Sequence, residues 1–332
     1  AGYATNLYDT PEAPMPASIF PGGNLENPFP IGRNRLMSAF ASDTIGLWND
    51  RILATAGLRL QAIDVKSYAY ADGSLASEYD EDAVTPVFGL VVKPVEGLSF
   101  YANRIEGLAQ GPSAPVDPNL VNPGEVFAPF TSVQYEAGGK VDLGRFNASL
   151  GWFRTDLPSA YARPVDPANP GGPLVFGVFG EQRNSGFELV VDGAPAEGLR
   201  IIAGGSLLVA ELRRTTGGLN EGNRAAGVPE YLLNANAEWD LPFLPATTLT
   251  GRVVHTGPQY ADAANSLELD SWTRLDLGLR YVAVVGDNPL TLRFNVDNVT
   301  NARYWASAFD AFGAALLQGG PRTFRLSASI EL

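Results

Sequence analysis

The feature that most constrains this 332-residue chain is an alternation of apolar and polar side chains with a period of two, repeated along its length. In residues 289–297, Leu290, Leu292, Phe294 and Val296 alternate with Thr291, Arg293, Asn295 and Asp297. The same rhythm runs through 53–62, 145–152, 233–239, 274–281 and the closing stretch TFRLSASIEL. Successive side chains of a strand point to opposite faces, so each segment reads as a strand with one apolar and one polar side. A helix would repeat its apolar positions every three to four residues instead. No apolar run approaches the roughly 18 residues of a spanning helix, and the mean hydropathy is −0.02.

The connections alternate too. Short ones fall near Asn49-Asp50, Val95-Gly97, Gly144-Arg145, Gly193-Gly198, Leu241-Pro245 and Gly286-Asn288. Long ones occupy roughly 9–31, 71–83, 108–130, 157–173, 213–228, 257–268 and 300–321. With 36 Gly and 25 Pro to punctuate them, about fourteen strands are readable, the first ending near Tyr8. Short turns at one rim and long loops at the other mark an outer-membrane barrel. The polar face decides against a soluble sandwich, whose outer side is usually rich in Lys and Glu. Here it mixes Gly, Ser, Asn, Asp and Arg, while the apolar face carries Trp152, Trp239 and Tyr281. The fold expected is an all-β, transmembrane antiparallel barrel: a polar lumen inside, lipid outside, and aromatic girdles at the interfaces.

Composition excludes other classes. The absence of Cys removes disulfides and thiolate metal sites, and the single His255 removes a multi-histidine zinc centre. A net charge of −13 repels a nucleic-acid backbone. No GxSxG or His-paired nucleophile is present, and Gly139-Lys140 lacks the rest of a phosphate loop. Glu81-Asp82 reads as a solvated loop tip, so no catalytic residue is expected. Residues 1–10 lack a basic stretch and an apolar core, so they do not read as a signal peptide. The glycosylation sequons at Asn147 and Asn298 fall in strands or their ends and are discounted.

Three ordered motifs carry a family resemblance. They are Leu277 to Tyr281 (LGLRY), Asn295 to Tyr304 (NVDNVTNARY) and Gly319 to Arg322 (GGPR). Together they resemble the C-terminal hairpins of TonB-dependent siderophore receptors, of the ferrichrome or hydroxamate type. Residues 33–60 resemble a hairpin of the same family less strongly. The resemblance implies a barrel of about 22 strands around a plug. This chain then corresponds to the C-terminal part, 1–332, without the plug and roughly the first eight strands. It also implies location in the Gram-negative outer membrane and binding of a ferric siderophore for uptake energised by TonB through the plug. Lipid and lipopolysaccharide are the surrounding partners. No cofactor is implied, because the chelator already saturates the iron. The alternatives are a passive channel of about fourteen strands, a related receptor for another ligand such as cobalamin, and a soluble β-rich adhesion or carbohydrate-binding protein.

A bulky chelate needs aromatic surface and oriented hydrogen bonds more than metal ligands. The loop 303–321 is the foremost candidate. Its resemblance to the last outer loop of ferrichrome-type receptors singles out Phe309, five residues after Tyr304, with Ala308 where the family can carry a cysteine. Trp305, Phe312 and Tyr304 itself are further candidates, which otherwise anchor the loop. Trp272 shares parity with Arg274, Asp276 and Arg280, so it is expected to face the lumen near the outer rim. Tyr260 and Tyr8 complete the ligand-binding set. Tyr101 and Tyr161 are placed near outer strand ends in structural roles. Arg59, Arg274, Arg280, Arg293 and Arg325 are expected to form lumenal ion pairs with Asp276, Asp297 and Glu331.

Overall fold

A computed structural model describes Glu26, residues 28–310 and residues 314–331. Seventeen strands are formed among these residues, in chain order. They are β1 (Gly32–Leu47), β2 (Ile52–Tyr68), β3 (Leu75–Val95), β4 (Leu98–Ala109), β5 (Phe130–Asp142), β6 (Phe146–Pro164), β7 (Leu174–Ala196) and β8 (Leu199–Arg214). Then follow β9 (Tyr231–Asp240), β10 (Thr247–Thr256), β11 (Gln259–Tyr260), β12 (Glu268–Leu269), β13 (Trp272–Val285), β14 (Asn288–Asp297), β15 (Trp305–Asp310), β16 (Ala314–Gln318) and β17 (Thr323–Ile330). Thirteen of them make one antiparallel sheet in which each strand pairs with its chain neighbour, with β10 meeting β13 and β14 meeting β17. β11–β12 and β15–β16 are two small hairpins standing in the loops that those pairings enclose. The strand expected to end near Tyr8 lies outside the described residues.

Register lines the side chains up as the alternation requires. Trp239, Leu249, Leu279, Phe294 and Leu326 form one continuous cross-strand row. All five are exposed, Leu326 at 79% of its surface. The next row in register is Glu238, Thr250, Gly278, Asn295 and Arg325, on the opposite face. A sheet that turns its large apolar side chains outward, with only a scatter of buried apolar residues elsewhere, has lipid rather than a protein core against that face. Among the described residues no helix is long and apolar enough to cross a membrane, so the strands make the crossing.

The two rims differ as expected. One carries tight turns: three consecutive left-handed residues at Trp48, Asn49 and Asp50, and positive φ at Gly97, Gly144, Gly198 and Gly286. The other carries the long connections, and most of the buried apolar residues, among them Ala114, Leu120, Ala225, Ala261, Leu269 and Ala308, lie there. Several sequence expectations are corrected. The stretch 71–83 is mostly strand, because the β2–β3 hairpin extends to a turn at 69–74. Glu81 and Asp82 are therefore ladder positions paired with Ile63 and Ala62, and not a loop tip. The loop expected over 157–173 shrinks likewise to 165–173 because β6 runs on to Pro164, while the one expected over 213–228 keeps its length and lies at 215–230. Tyr101 stands four residues beyond the Gly97 turn, at the short-turn rim, where its hydroxyl donates to Glu136 Oε1 at 2.6 Å.

The polar face is laced by ion pairs. Arg274 meets Asp276 at 2.9 Å, Arg325 meets Asp297 at 2.7 Å and Arg280 meets Glu238 at 3.3 Å. Arg59 and Arg293 instead reach the hydroxyls of Ser38 and Ser329. No ion pair of Glu331 is found among the described residues.

Candidate ligand-binding site

The long-loop rim is organised by packing between three connections: 215–230, 257–271 and 298–322. β10 ends at Thr256, and the chain turns through Gly257-Pro258 into the β11–β12 hairpin before β13 opens on Trp272. Ala261 is fully buried, with Leu269 and Ala308 beside it and Trp305 and Leu316 packed on the cluster. This small apolar knot docks the β15–β16 hairpin onto β11–β12. Backbone groups fasten the third connection: Gly227 N–H donates to Tyr260 O at 2.7 Å and Glu230 N–H to Pro258 O at 3.0 Å. Asn265, in the left-handed region at φ 55°, exchanges hydrogen bonds with the backbone of Arg224 at 2.8 and 2.9 Å. A side chain on Gly227 would strike the Ala308 carbonyl, so glycine is what lets the loops approach.

The feet of the last loop are closed by Asn298, which is 1% exposed and has φ 51°. Its Nδ2 donates to Ala302 O at 2.9 Å and Gly320 O at 3.0 Å, while its Oδ1 accepts from Ala302 N–H at 2.9 Å. Its own N–H donates to Asp276 Oδ1 at 2.8 Å, tying the loop to the lumenal ion pair of β13. Asn301, also left-handed, accepts from Arg322 N–H at 3.1 Å. Asn tolerates this conformation better than other residues with a Cβ, which explains why the turn is written with asparagines.

Above these feet Tyr304 stacks on Trp272, ring centroids 4.2 Å apart and planes 23° off parallel. Any Cβ at Gly319 would overlap the Tyr304 ring, so Gly319 is the floor that lets the stack lie flat. Trp272 has the parity of Arg274 and Asp276 and so belongs to the lumenal face, as its sequence position predicts. Among the described residues its buried indole N–H has no acceptor, and the buried Oε1 of Gln259 has no donor. The site thus holds an aromatic wall, one unsatisfied donor and one unsatisfied acceptor, on a rim held rigid by interlocked loops. In the 257–271 connection, Asp262 accepts from the Ser266 hydroxyl, and from Ser266 N–H at 2.9 Å and Leu267 N–H at 3.2 Å. Those bonds, the Ser266 hydroxyl first, hold its carboxyl below the ordinary carboxylate range.

The sequence-derived candidates separate in the structure. Trp272 and Tyr304 come together. Trp305 is half-buried against the Ala261 knot, and Phe309 projects with 51% of its surface exposed. Tyr260 contributes its carbonyl to the loop clasp. Phe312 and Tyr8 lie outside the described residues. Sequence reasoning missed Asn298, Gly319, Gln259 and Gly227 as builders of the site. The NVTN and GGPR motifs contained the signal for the first two, since asparagine and glycine at loop feet point to special backbone or close approach.

Residues 1–299 match the family model described as TonB dependent receptor-like, beta-barrel. The chain belongs to this family of outer-membrane receptors. It is 38% identical over 330 residues to the ferrichrome receptor FcuA of Yersinia enterocolitica, covering 98% of this chain and 42% of that protein. It is 27% identical over 277 residues to the ferrichrome outer membrane transporter/phage receptor of Escherichia coli strain K12, covering 80% of this chain and 34% of that protein. Its fold superposes on BauA, the ferric preacinetobactin receptor of Acinetobacter baumannii, with a TM-score of 0.80 and 36% identity, covering 98% of this chain and 46% of BauA. The chain spans less than half the length of the curated relatives it matches. As a TonB-dependent receptor barrel it resides in the Gram-negative outer membrane, its long loops facing the exterior and its tight turns the periplasm. The family is made of receptors and not of enzymes.

Proposed function

We propose that this TonB-dependent receptor binds a ferric siderophore in its outer vestibule and imports it with energy supplied through TonB. The observation that carries the reading is the Trp272–Tyr304 stack on the lumenal face, held by the Asn298 knot and floored by Gly319. It offers a flat, preorganised aromatic wall to a chelate whose iron needs no protein ligand. The projecting ring of Phe309 is a second contact on the same loop. The ferrichrome receptors among its relatives favour a hydroxamate or mixed chelate, and so does the chain's net charge of −13, which suits a catecholate less well. The plug of the family seats against the charged lumenal face and links the vestibule to TonB. A passive channel finds no comparable support, since a pore has no use for an interlocked outer cap.

Lipopolysaccharide surrounds the outer half of the wall. Arg154 and Asp156 continue the face of Leu150 and Trp152, and Arg183, beside Asp156 at 2.6 Å, shares that face with Phe187. This outward belt of charge above the apolar band suits sugar and phosphate headgroups.

The test is uptake of radioactive iron from ferrichrome into cells that carry the receptor as their sole ferrichrome transporter. Uptake is expected with TonB and absent without it. Uptake independent of TonB, with ion conductance in planar bilayers, contradicts the proposal.

A further inference from the structure

A second site faces the vestibule from the other side of the loop cluster, at the outer ends of β6 and β7. Between the pairs Ser159–Gly180 and Tyr161–Gly177, β6 contributes one residue and β7 two, Val178 and Phe179. The extra residue belongs to β7, so β6 keeps its alternation through the bulge. Tyr161 and Arg163 therefore share the face of Asn147, Ser149 and Thr155, the polar side of the wall. Phe179 lies over Gly177, where a Cβ would stand 2.6 Å from the ring. Tyr161 meets it edge-on at 5.8 Å, and the Arg163 guanidinium sits 3.8 Å above its centroid. The ring covers one face of the guanidinium and leaves the N–H donors at its rim, where Arg163 makes no hydrogen bond or ion pair among the described residues.

Tyr161 and Arg163 line an open pocket of about 550 Å3, whose other walls are Val121, Pro164 and Val165 and, from the next connection, Thr215, Gly217 and Gly218. Glu221 also lines it, its Oε1 held by Thr215 N–H at 3.0 Å. A guanidinium held against a ring on one face, with its N–H edge unpaired among the described residues, is a receptor for one carboxylate, which it grips through two parallel hydrogen bonds. The aliphatic walls suit methylene groups, and the Glu221 charge opposes a second anion. In a chain of net charge −13 such a site does not arise from the general field. We infer that the Arg163–Phe179–Tyr161 cavity is a specificity subsite that takes a carboxylate-terminated aliphatic arm of the bound chelate. The inference rests on the siderophore reading above and adds to it a preference for one arm chemistry.

The test uses the intact receptor purified from outer membranes. Three linear ferric trihydroxamates are titrated, identical at the iron and differing only in the arm terminus: ammonium, acetamide or succinyl carboxylate. Tryptophan fluorescence reports binding. The carboxylate form is expected to bind about fivefold to tenfold more tightly than the acetamide form. Arg163→Gln is expected to remove most of that difference by lowering carboxylate affinity well beyond acetamide affinity, and Glu221→Gln to enlarge it. Equal affinity for the acetamide and carboxylate forms, or an Arg163→Gln variant that weakens both alike, overturns the subsite and leaves the siderophore reading intact. No binding of any of the three overturns both.

Discussion

Gly319 holds the vestibule by leaving room for one ring, and Asn298 by a buried set of hydrogen bonds. Gly319→Ala places a methyl into the Tyr304 ring and must tilt the stack off Trp272. The expected cost is about 1–3 kcal/mol, read as a lower unfolding midpoint together with a changed Trp272 emission. Asn298→Ala strips two carbonyls and one N–H of their buried partner at a left-handed position, costing about 1–3 kcal/mol. Limited proteolysis of the 298–322 loop checks it, with cleavage expected in the variant and not in the parent. Phe309→Ala removes one projecting ring and is expected to weaken ferrichrome binding by about 1–2 kcal/mol in a direct titration. Asp262 adds a pH dependence. Its carboxyl is held below the ordinary range, so its contribution is present above the unfolded value and is lost as pH falls through the folded one. Hydrogen exchange in 261–267 is expected to stay slow across neutral pH and to lose protection only below the ordinary carboxylate range, a dependence that Asp262→Asn abolishes. The face of Trp272 was legible from parity alone. Its stack on Tyr304 was not, because parity says nothing about which loop residue folds back over a strand end.

At the scale of elements, the alternation identifies a strand wherever the two faces meet different media, as in β13, β14 and β17. It fails where a hairpin rises beyond the membrane and both faces are wet, which is why 71–83 reads as loop while β3 begins at Leu75. It also cannot reveal the β11–β12 and β15–β16 hairpins, whose short strands are fixed by packing on Ala261 rather than by a periodic pattern. Within the band, side chains on the two faces respond differently to charge. Leu279 lies in the row between Leu249 and Phe294 on the lipid face. Leu279→Arg is expected to destabilise the barrel by about 2–4 kcal/mol in a denaturant titration in lipid vesicles. The same change at Thr250, one row away on the polar face, is expected to cost far less.

The whole molecule is a wall whose greasy side is outside. Its two outermost strands in the described sheet, β1 and β17, present backbone edges that hydrocarbon does not tolerate unpaired, a demand the family barrel meets by closing on itself. The lumenal side is polar and ion-paired, and the outer rim gathers most of the buried apolar residues into interlocked loops. The most direct measurement is an equilibrium titration of the intact purified receptor with ferrichrome, followed by tryptophan fluorescence. A saturable change is expected with a dissociation constant at or below the micromolar range, diminished in Trp272→Phe and Gly319→Ala. Fluorescence indifferent to ferrichrome and to other ferric hydroxamate, mixed-ligand and catecholate chelates at that concentration contradicts it.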